Sequence, residues 1–440
     1  MREEKLTYKQ ILLFWLPLAA TWLIMSIENP FLTAIIARMP EPKYNLAAYG
    51  VAFSFAILIE SPVIMMMSAS TALVKDYNSY LQLRKFSYIL NFVLTGMMLL
   101  ILIPPIYDFL AIDLIALPHK VADLTYIAMI ILVPWPGSIG YRRFYQGILI
   151  NSNQTRKVAY GTVIRLVFMS STGLILFFFS EFEGIVIGAS ALSAGVVMEA
   201  LSSKFMVGNV KEKYKNIESN KNTDLSYKEI FTFYYPLALT SLISLGVQPI
   251  VTFFMGQSKM ALESLAVLPV ISGFIFIFRG VGLSFQEVGI ALLDVKEKSR
   301  NYKMLRNFAA VGGITVVLFL TVIAFTPLSN LWFEKIAGLS TELSSFSHKP
   351  LMIMVLMPGL TFLISFQRSI LVNAKNTKPI TIATVTEVLG IILILLVTIR
   401  MFDWVGVVAA TTAFVLGRMA ANIYLMKPFI KEVKRYEAIN

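Results

Sequence analysis

Residues 8–33 read YKQILLFWLPLAATWLIMSIENPFLT, and residues 227–252 read YKEIFTFYYPLALTSLISLGVQPIVT. The two stretches align without a gap at an offset of 219, with twelve of 26 positions identical. Apolar bias alone gives a few matches. It does not give a shared Tyr-Lys pair and two shared prolines, Pro17 with Pro236 and Pro30 with Pro249. Leu46-Ala47 and Leu265-Ala266 keep the same offset, and GILINSNQTRKV (147–158) answers SILVNAKNTKPI (369–380) at an offset of 222. The chain therefore reads as an internal duplication whose unit opens on a proline-marked apolar helix.

Composition says where such a duplication lives. Of 440 residues, 57% are hydrophobic and 15% charged, against about 25% charged in soluble domains. At about 20 apolar residues per spanning helix, the chain holds roughly a dozen spans and little else. Apolar runs near 9–37, 45–74, 86–104, 121–148, 157–179, 184–207, 228–256, 261–293, 304–325, 350–372, 380–401 and 404–428 supply twelve. Barrel strands would alternate over about ten residues, and these runs are continuous. The expected fold is thus all-α and integral to a membrane, with twelve transmembrane helices in two six-helix lobes. The expected division is 1–207, a Lys- and Asn-rich linker at 208–226, and 227–440. No cleavable leader is expected before the first run, which is too long for a signal-peptide core.

The net charge of +12 could suggest a nucleic-acid partner. The positions of the charges argue otherwise. The termini and even-numbered loops hold 28 of the 38 Lys and Arg, the odd-numbered loops hold seven, and three lie within helices. By the positive-inside rule both termini are expected on the cytoplasmic side of the plasma (inner) membrane. Six helices per repeat keep the copies in one orientation, the parallel-repeat plan of secondary transporters with substrate near the midplane.

Two six-helix halves, a proline-marked first helix in each, and a small-polar-Thr-Arg/Lys motif after the fourth and tenth helices resemble the multidrug/oligosaccharidyl-lipid/polysaccharide (MOP) exporter superfamily, in particular its MATE-type transporters. IENPFLTAIIARM with LAAYGVAFSF, within 27–55, is similar to the progressive ankylosis pattern of a first-helix acid and a later Ala-Tyr-Gly. The resemblance implies a MATE-like fold and alternating-access export of small organic solutes, with no enzymatic activity. It also implies ion coupling at a first-helix acid, the role whose position Glu28 matches. The C-lobe sodium site of some family members needs an acid on helices seven and ten, and none stands there at depth, so that site is expected to be absent.

Eight ionisable residues fall within the expected helices: Glu28, Glu60, Arg165, Glu199, Arg279, Glu287, Glu387 and Arg418. Each costs about 2.5–3.5 kcal/mol at the bilayer centre even on the lenient insertion scale, so they should pair or face water. The repeat places Glu60 opposite Arg279 and Arg165 opposite Glu387 with signs reversed. We expect Glu60–Arg165 and Arg279–Glu387 as equivalent intralobe pairs, with structural or gating roles. Glu28 with Asn29, Gln248, Glu199, Arg418 and Arg279 remain the expected substrate or ion ligands. Pro30, Pro249, Pro134 and Pro136 are expected hinges, since each proline removes a helix hydrogen bond. Arg142, Arg143 and Arg368, near cytoplasmic helix ends, read as snorkelling to lipid phosphates.

Other chemistries find little support. There is no phosphate-cradling G-x-x-x-x-G-K-[ST] loop, and His119 and His348 are the only histidines, both in outside loops. No cofactor or metal is expected beyond a coupling proton or sodium ion. The expected partners are a small-molecule substrate and the lipid bilayer, with the chain a monomer. The substrate reads as an organic anion such as a carboxylate or phosphate compound. Alternatives are a lipophilic cation, as for a MATE-type multidrug antiporter, and a lipid-linked oligosaccharide, as for a flippase. The flippase reading wants more cavity arginine than five acids to three bases provide.

Overall fold

A computed structural model describes residues 6–152, 154–208, 225–293, 298–374 and 376–438. The expected linker lies almost wholly outside the described residues. Among the described residues twelve helices are long and apolar enough to cross a membrane: α1 Tyr8–Ile36, α2 Pro42–Leu73, α3 Tyr77–Ile101, α4 His119–Asn151, α5 Arg156–Phe179, α6 Gly184–Met206, α7 Tyr227–Gly256, α8 Ala261–Leu292, α9 Asn301–Phe325, α10 Thr341–Asn373, α11 Lys378–Met401 and α12 Gly406–Arg435.

The duplicated sequence builds duplicated local structure. Thr7 and Gln10 form a capping box at the start of α1, and Ser226 and Glu229 form the same box at α7. In each, the cap hydroxyl accepts a backbone N–H and the third residue's side chain accepts the cap's own N–H, which satisfies two orphan donors. Both helices then break three residues before the second proline, at Ile27 and Gly246. Pro30 and Pro249 cannot donate to the carbonyls of Ser26 and Leu245, so the ladder has nothing to continue on there. The fourth helix of each repeat is interrupted too. α4 pauses between Ile131 and Pro134 and α10 between Met354 and Met357, just before Pro136 and its counterpart Pro358. A π-helical turn at Phe109–Leu114 recurs at Leu331–Ile336, the same register 222 residues on.

The chain separates into two compact units, one of residues 35–257 and one of residues 1–34 with 258–440. These bounds differ from the expected division at the 208–226 linker, because the opening helix of each repeat groups with the other repeat's helices. In the second unit α1 packs on α8. Trp15 Nε1 donates to Ser284 Oγ at 2.8 Å, and Gly280 leaves room for the Trp22 backbone, which a β-carbon there would approach to 3.5 Å. In the first unit α7 packs on α2 in the same way. Tyr234, the counterpart of Trp15, donates its hydroxyl to the Pro62 carbonyl, and Ser54 and Thr252 share a hydrogen bond of 2.8 Å. Ile11 and its counterpart Ile230 are fully buried in the respective cores. Burying such an aliphatic side chain is worth about 1.5–3 kcal/mol, so these contacts anchor each opening helix.

Candidate substrate and ion sites

Within the 35–257 unit, α5 lies along α6, and Gly195 sets the spacing of the two. A β-carbon at Gly195 would come within 3.0 Å of the Arg165 carbonyl and 3.4 Å of its Cγ. The Arg165 side chain consequently runs along α6 and comes to 3.9 Å from Glu199, one turn beyond Gly195. Arg142 of α4 makes the direct ion pair with Glu199, and Gln146 donates to the other carboxylate oxygen at 3.0 Å. Glu199 is thus buried, 1% exposed, and held from two other helices.

Glu60 of α2 accepts the indole N–H of Trp135, and the Arg165 guanidinium lies over the same ring, 6.0 Å from its centroid. The expected Glu60–Arg165 ion pair does not form directly: the two groups meet the same indole, Glu60 at its N–H and Arg165 over its ring. Arg143 reaches the Met67 sulfur at 3.7 Å.

The unit of residues 1–34 and 258–440 repeats the seam with its polarity exchanged. Gly417, the counterpart of Gly195, lies against the carbonyl of Glu387, which a β-carbon would approach to 3.0 Å. Arg418 Nε and Nη2 both reach Glu387 Oε1, each at 2.8 Å. The expected Arg279–Glu387 pair does not form: Glu387 takes its partner across the α11–α12 seam, where the glycine brings the backbones together. Arg279 keeps an electrostatic interaction with Glu387 and Arg418 without a direct ion pair. Arg368 of α10 donates to Thr384 Oγ1 at 3.2 Å, and Gln367 and Asn422 tie α10 to α12.

Arg142, Arg143 and Arg368 do not snorkel. Arg142 is 7% exposed, and the Nε atoms of Arg142, Arg143, Arg279 and Arg368 are buried with no hydrogen-bond partner. Glu287 is exposed instead. Six arginines at these positions thus face four buried or clustered acids, Glu28, Glu60, Glu199 and Glu387, which reverses the balance read from sequence.

The repeat carries a signal for one of the missed arginines, Arg368. Gln146 and Arg368 occupy equivalent positions 222 residues apart, and both are polar groups facing a helix seam.

Glu28 is buried, 8% exposed, in the first turn after the α1 break. Thr33 Oγ1 donates to the Asn29 carbonyl at 3.0 Å and lies 3.2 Å from that of Pro30. Gly273 of α8 faces this turn, where a β-carbon would stand 3.3 Å from Pro30 Cδ. Glu28 and Asn29 fall in the unit of Arg279 and Arg418, while Glu199 and half-buried Gln248 belong to the other. Among the described residues no three His, Cys, Asp or Glu side chains group as a metal site would require.

This arrangement of twelve helices is the fold of the MOP exporter superfamily. An inward-facing multidrug resistance MATE family transporter of that superfamily superposes with a TM-score of 0.71 at 15% identity, covering 95% of this chain and 96% of its own. The lipid II flippase MurJ, in an inward closed conformation, gives 0.70 at 16% identity over 96% and 89%. A MOP superfamily transporter from Pyrococcus furiosus, described as having a binding pocket of reverse polarity, gives 0.60 at 15% identity over 98% and 100%. The progressive ankylosis protein (ANKH) family model matches residues 222–408. No curated protein sequence matches significantly.

Proposed function

We propose that the chain is a secondary active transporter that exports small organic anions, carboxylate or phosphate compounds, by alternating access. The observation that carries this reading is the clustering in each unit of three arginines, Arg142 buried and the others half-buried, around fewer acids: Arg142, Arg143 and Arg165 with Glu60 and Glu199, and Arg279, Arg368 and Arg418 in the unit of Glu387 and Glu28. Arginine presents a fork of donors that fits carboxylate and phosphate oxygens. Inside a membrane, buried donors without partners favour a ligand that brings acceptors. A lipophilic cation would meet repulsion at the same positions.

Arg279 and Arg418 are the anion ligands in this reading, with Glu199, Asn29 and Gln248 shaping the pathway. Glu28 carries the coupling proton. Pro30, Pro249, Pro134 and Pro136, at or beside helix interruptions, serve as hinges. The two repeats, 1–207 and 227–440, are the inherited halves, and the chain works as a monomer. The distribution of loop charges supports both termini on the cytoplasmic side of a plasma (inner) membrane.

The deciding experiment uses purified protein in proteoliposomes, with and without a pH gradient. Labelled inorganic phosphate, a labelled dicarboxylate and a lipophilic organic cation are offered in turn. Movement of an anion and not of the cation supports the proposal; movement of the cation alone overturns it. The same arginine surplus suits the pyrophosphate of a lipid-linked oligosaccharide, the second reading. It predicts transbilayer movement of such a lipid with no exchange of soluble anions.

A further inference from the structure

Away from these clusters, α9 and α10 leave a groove of about 450 Å³ on the outside of their unit. Its floor is Phe362, 1% exposed, beside Gly313, whose missing side chain would stand 3.3 Å from Phe362 Cβ. Its rims are exposed aliphatics, Ile314 and Leu318 on α9 with Leu356 and Leu363 on α10. Among the residues lining it, Arg306 is the one charged side chain. The Arg306 guanidinium lies 5.7 Å from the Tyr302 ring centroid and bonds the neighbouring Asn307 side chain at 3.3–3.4 Å. The segment leading into it, KEKSRNYKMLR (296–306), is strongly basic.

We propose that this groove is a binding site for one anionic phospholipid, its phosphate on Arg306 and one acyl chain along Gly313 and Phe362. Dimensions and charge both support this occupant. From Arg306 to Leu318 the helix rises about 18 Å at ~1.5 Å per residue. From the headgroup level to the midplane one leaflet spans about 20–22 Å, half of the ~40–45 Å bilayer with its polar regions included. A chain anchored at Arg306 therefore runs the length of the groove without leaving its leaflet. The cationic end matches an anionic headgroup, since a basic side chain near an anionic surface attracts it by about 1 kcal/mol. A zwitterionic lipid offers no such net attraction. Ala310 and Gly313 on α9 with Gly359 on α10 give the acyl chain a concave bed.

The test uses the full chain in nanodiscs containing a trace of phosphatidylglycerol that carries a photoreactive diazirine in its acyl chain. Cross-linked residues are mapped by mass spectrometry, and a phosphatidylcholine analogue serves as comparison. The expected result is cross-linking concentrated at Ile314, Leu318, Leu356 and Leu363, with phosphatidylglycerol favoured. Arg306→Gln should lower that yield about five-fold, toward the phosphatidylcholine level, while Arg306→Lys retains most of it. Ala310→Phe, which fills the groove from an exposed position, should abolish cross-linking there with both lipids. Equal labelling by the two lipids, an unchanged yield in Arg306→Gln, or persistent labelling in Ala310→Phe would each overturn the proposal.

Discussion

Arg418 converges on Glu387 through both Nε and Nη2, each 2.8 Å from the same carboxylate oxygen, with 12–13% of either side chain exposed. Removing one partner of a buried pair costs about 3–5 kcal/mol, because the other charge is left uncompensated. Here the penalty should be at the upper end for the acid, since Arg279 also interacts with Glu387. Glu387→Ala is expected to lower the melting temperature sharply in detergent. Glu387→Ala combined with Arg418→Met should recover part of the loss. A double variant no more stable than Glu387→Ala would show that the pair contributes little.

The twelve helices and the duplication were legible because apolar run length, capping residues and prolines are local signals. The exchange of α1 and α7 between compact units was not. A repeat tells which segments share ancestry, while packing depends on complementary surfaces such as Trp15 with Ser284 and Tyr234 with Pro62. Sign reversal singled out Glu60, Arg165, Arg279 and Glu387, yet it could not choose their partners. Those were decided by Gly195 and Gly417, which bring α5 to α6 and α11 to α12. Arg142 was misplaced for a simpler reason. α4 continues to Asn151, which puts Arg142 about 13 Å from the helix end at ~1.5 Å per residue.

The α2–α4 crossing carries a glycine–serine exchange that makes its own prediction. A β-carbon at Gly147 would lie 2.5 Å from both the Met67 carbonyl oxygen and Ser70 Cβ. At the equivalent positions of the other repeat the glycine is on α8, Gly289, and the serine on α10, Ser369, again in contact. Gly147→Ser should destabilise by about 1–3 kcal/mol through overpacking. Adding Ser70→Gly reproduces the arrangement of the second repeat and should restore most of the stability. Chemical denaturation of the three proteins measures this directly.

Among the described residues Trp135 is the neutral donor to Glu60, and its ring also carries Arg165. Trp135→Phe keeps an aromatic face for the guanidinium and removes only the N–H. A hydrogen bond to a charged group contributes about 1.5–3 kcal/mol, so a loss of that size is expected. Trp135→Leu, which removes the ring face as well, should cost more. Equal melting temperatures for wild type and Trp135→Phe would place the Glu60 carboxylate with another donor.

The proposed proton coupling at Glu28 can be separated from the proposed anion binding by substitution. Glu28→Gln keeps the size and hydrogen-bonding capacity of a residue that is 8% exposed. In proteoliposomes it should abolish acceleration of anion movement by a pH gradient and leave exchange without a gradient intact. Normal gradient dependence in Glu28→Gln would remove Glu28 from the coupling step.

Arg279 offers the sharpest distinction between ligand and scaffold. It has no direct ion pair among the described residues, and its Nε is buried without a hydrogen-bond partner. Replacing a buried charge that lacks a partner with an apolar side chain of similar length should be neutral or stabilising. Arg279→Met is therefore expected to hold or raise the melting temperature. If the guanidinium binds substrate, the same variant loses a charge-assisted contact worth about 1.5–3 kcal/mol, or roughly ten-fold to more than a hundred-fold in anion affinity. Transport measured over a range of anion concentration should then show a raised KM, and Arg279→Lys should recover part of it. A variant that loses stability and transport together would mark Arg279 as scaffold, with Arg368 and Arg418 left as the anion ligands of that unit.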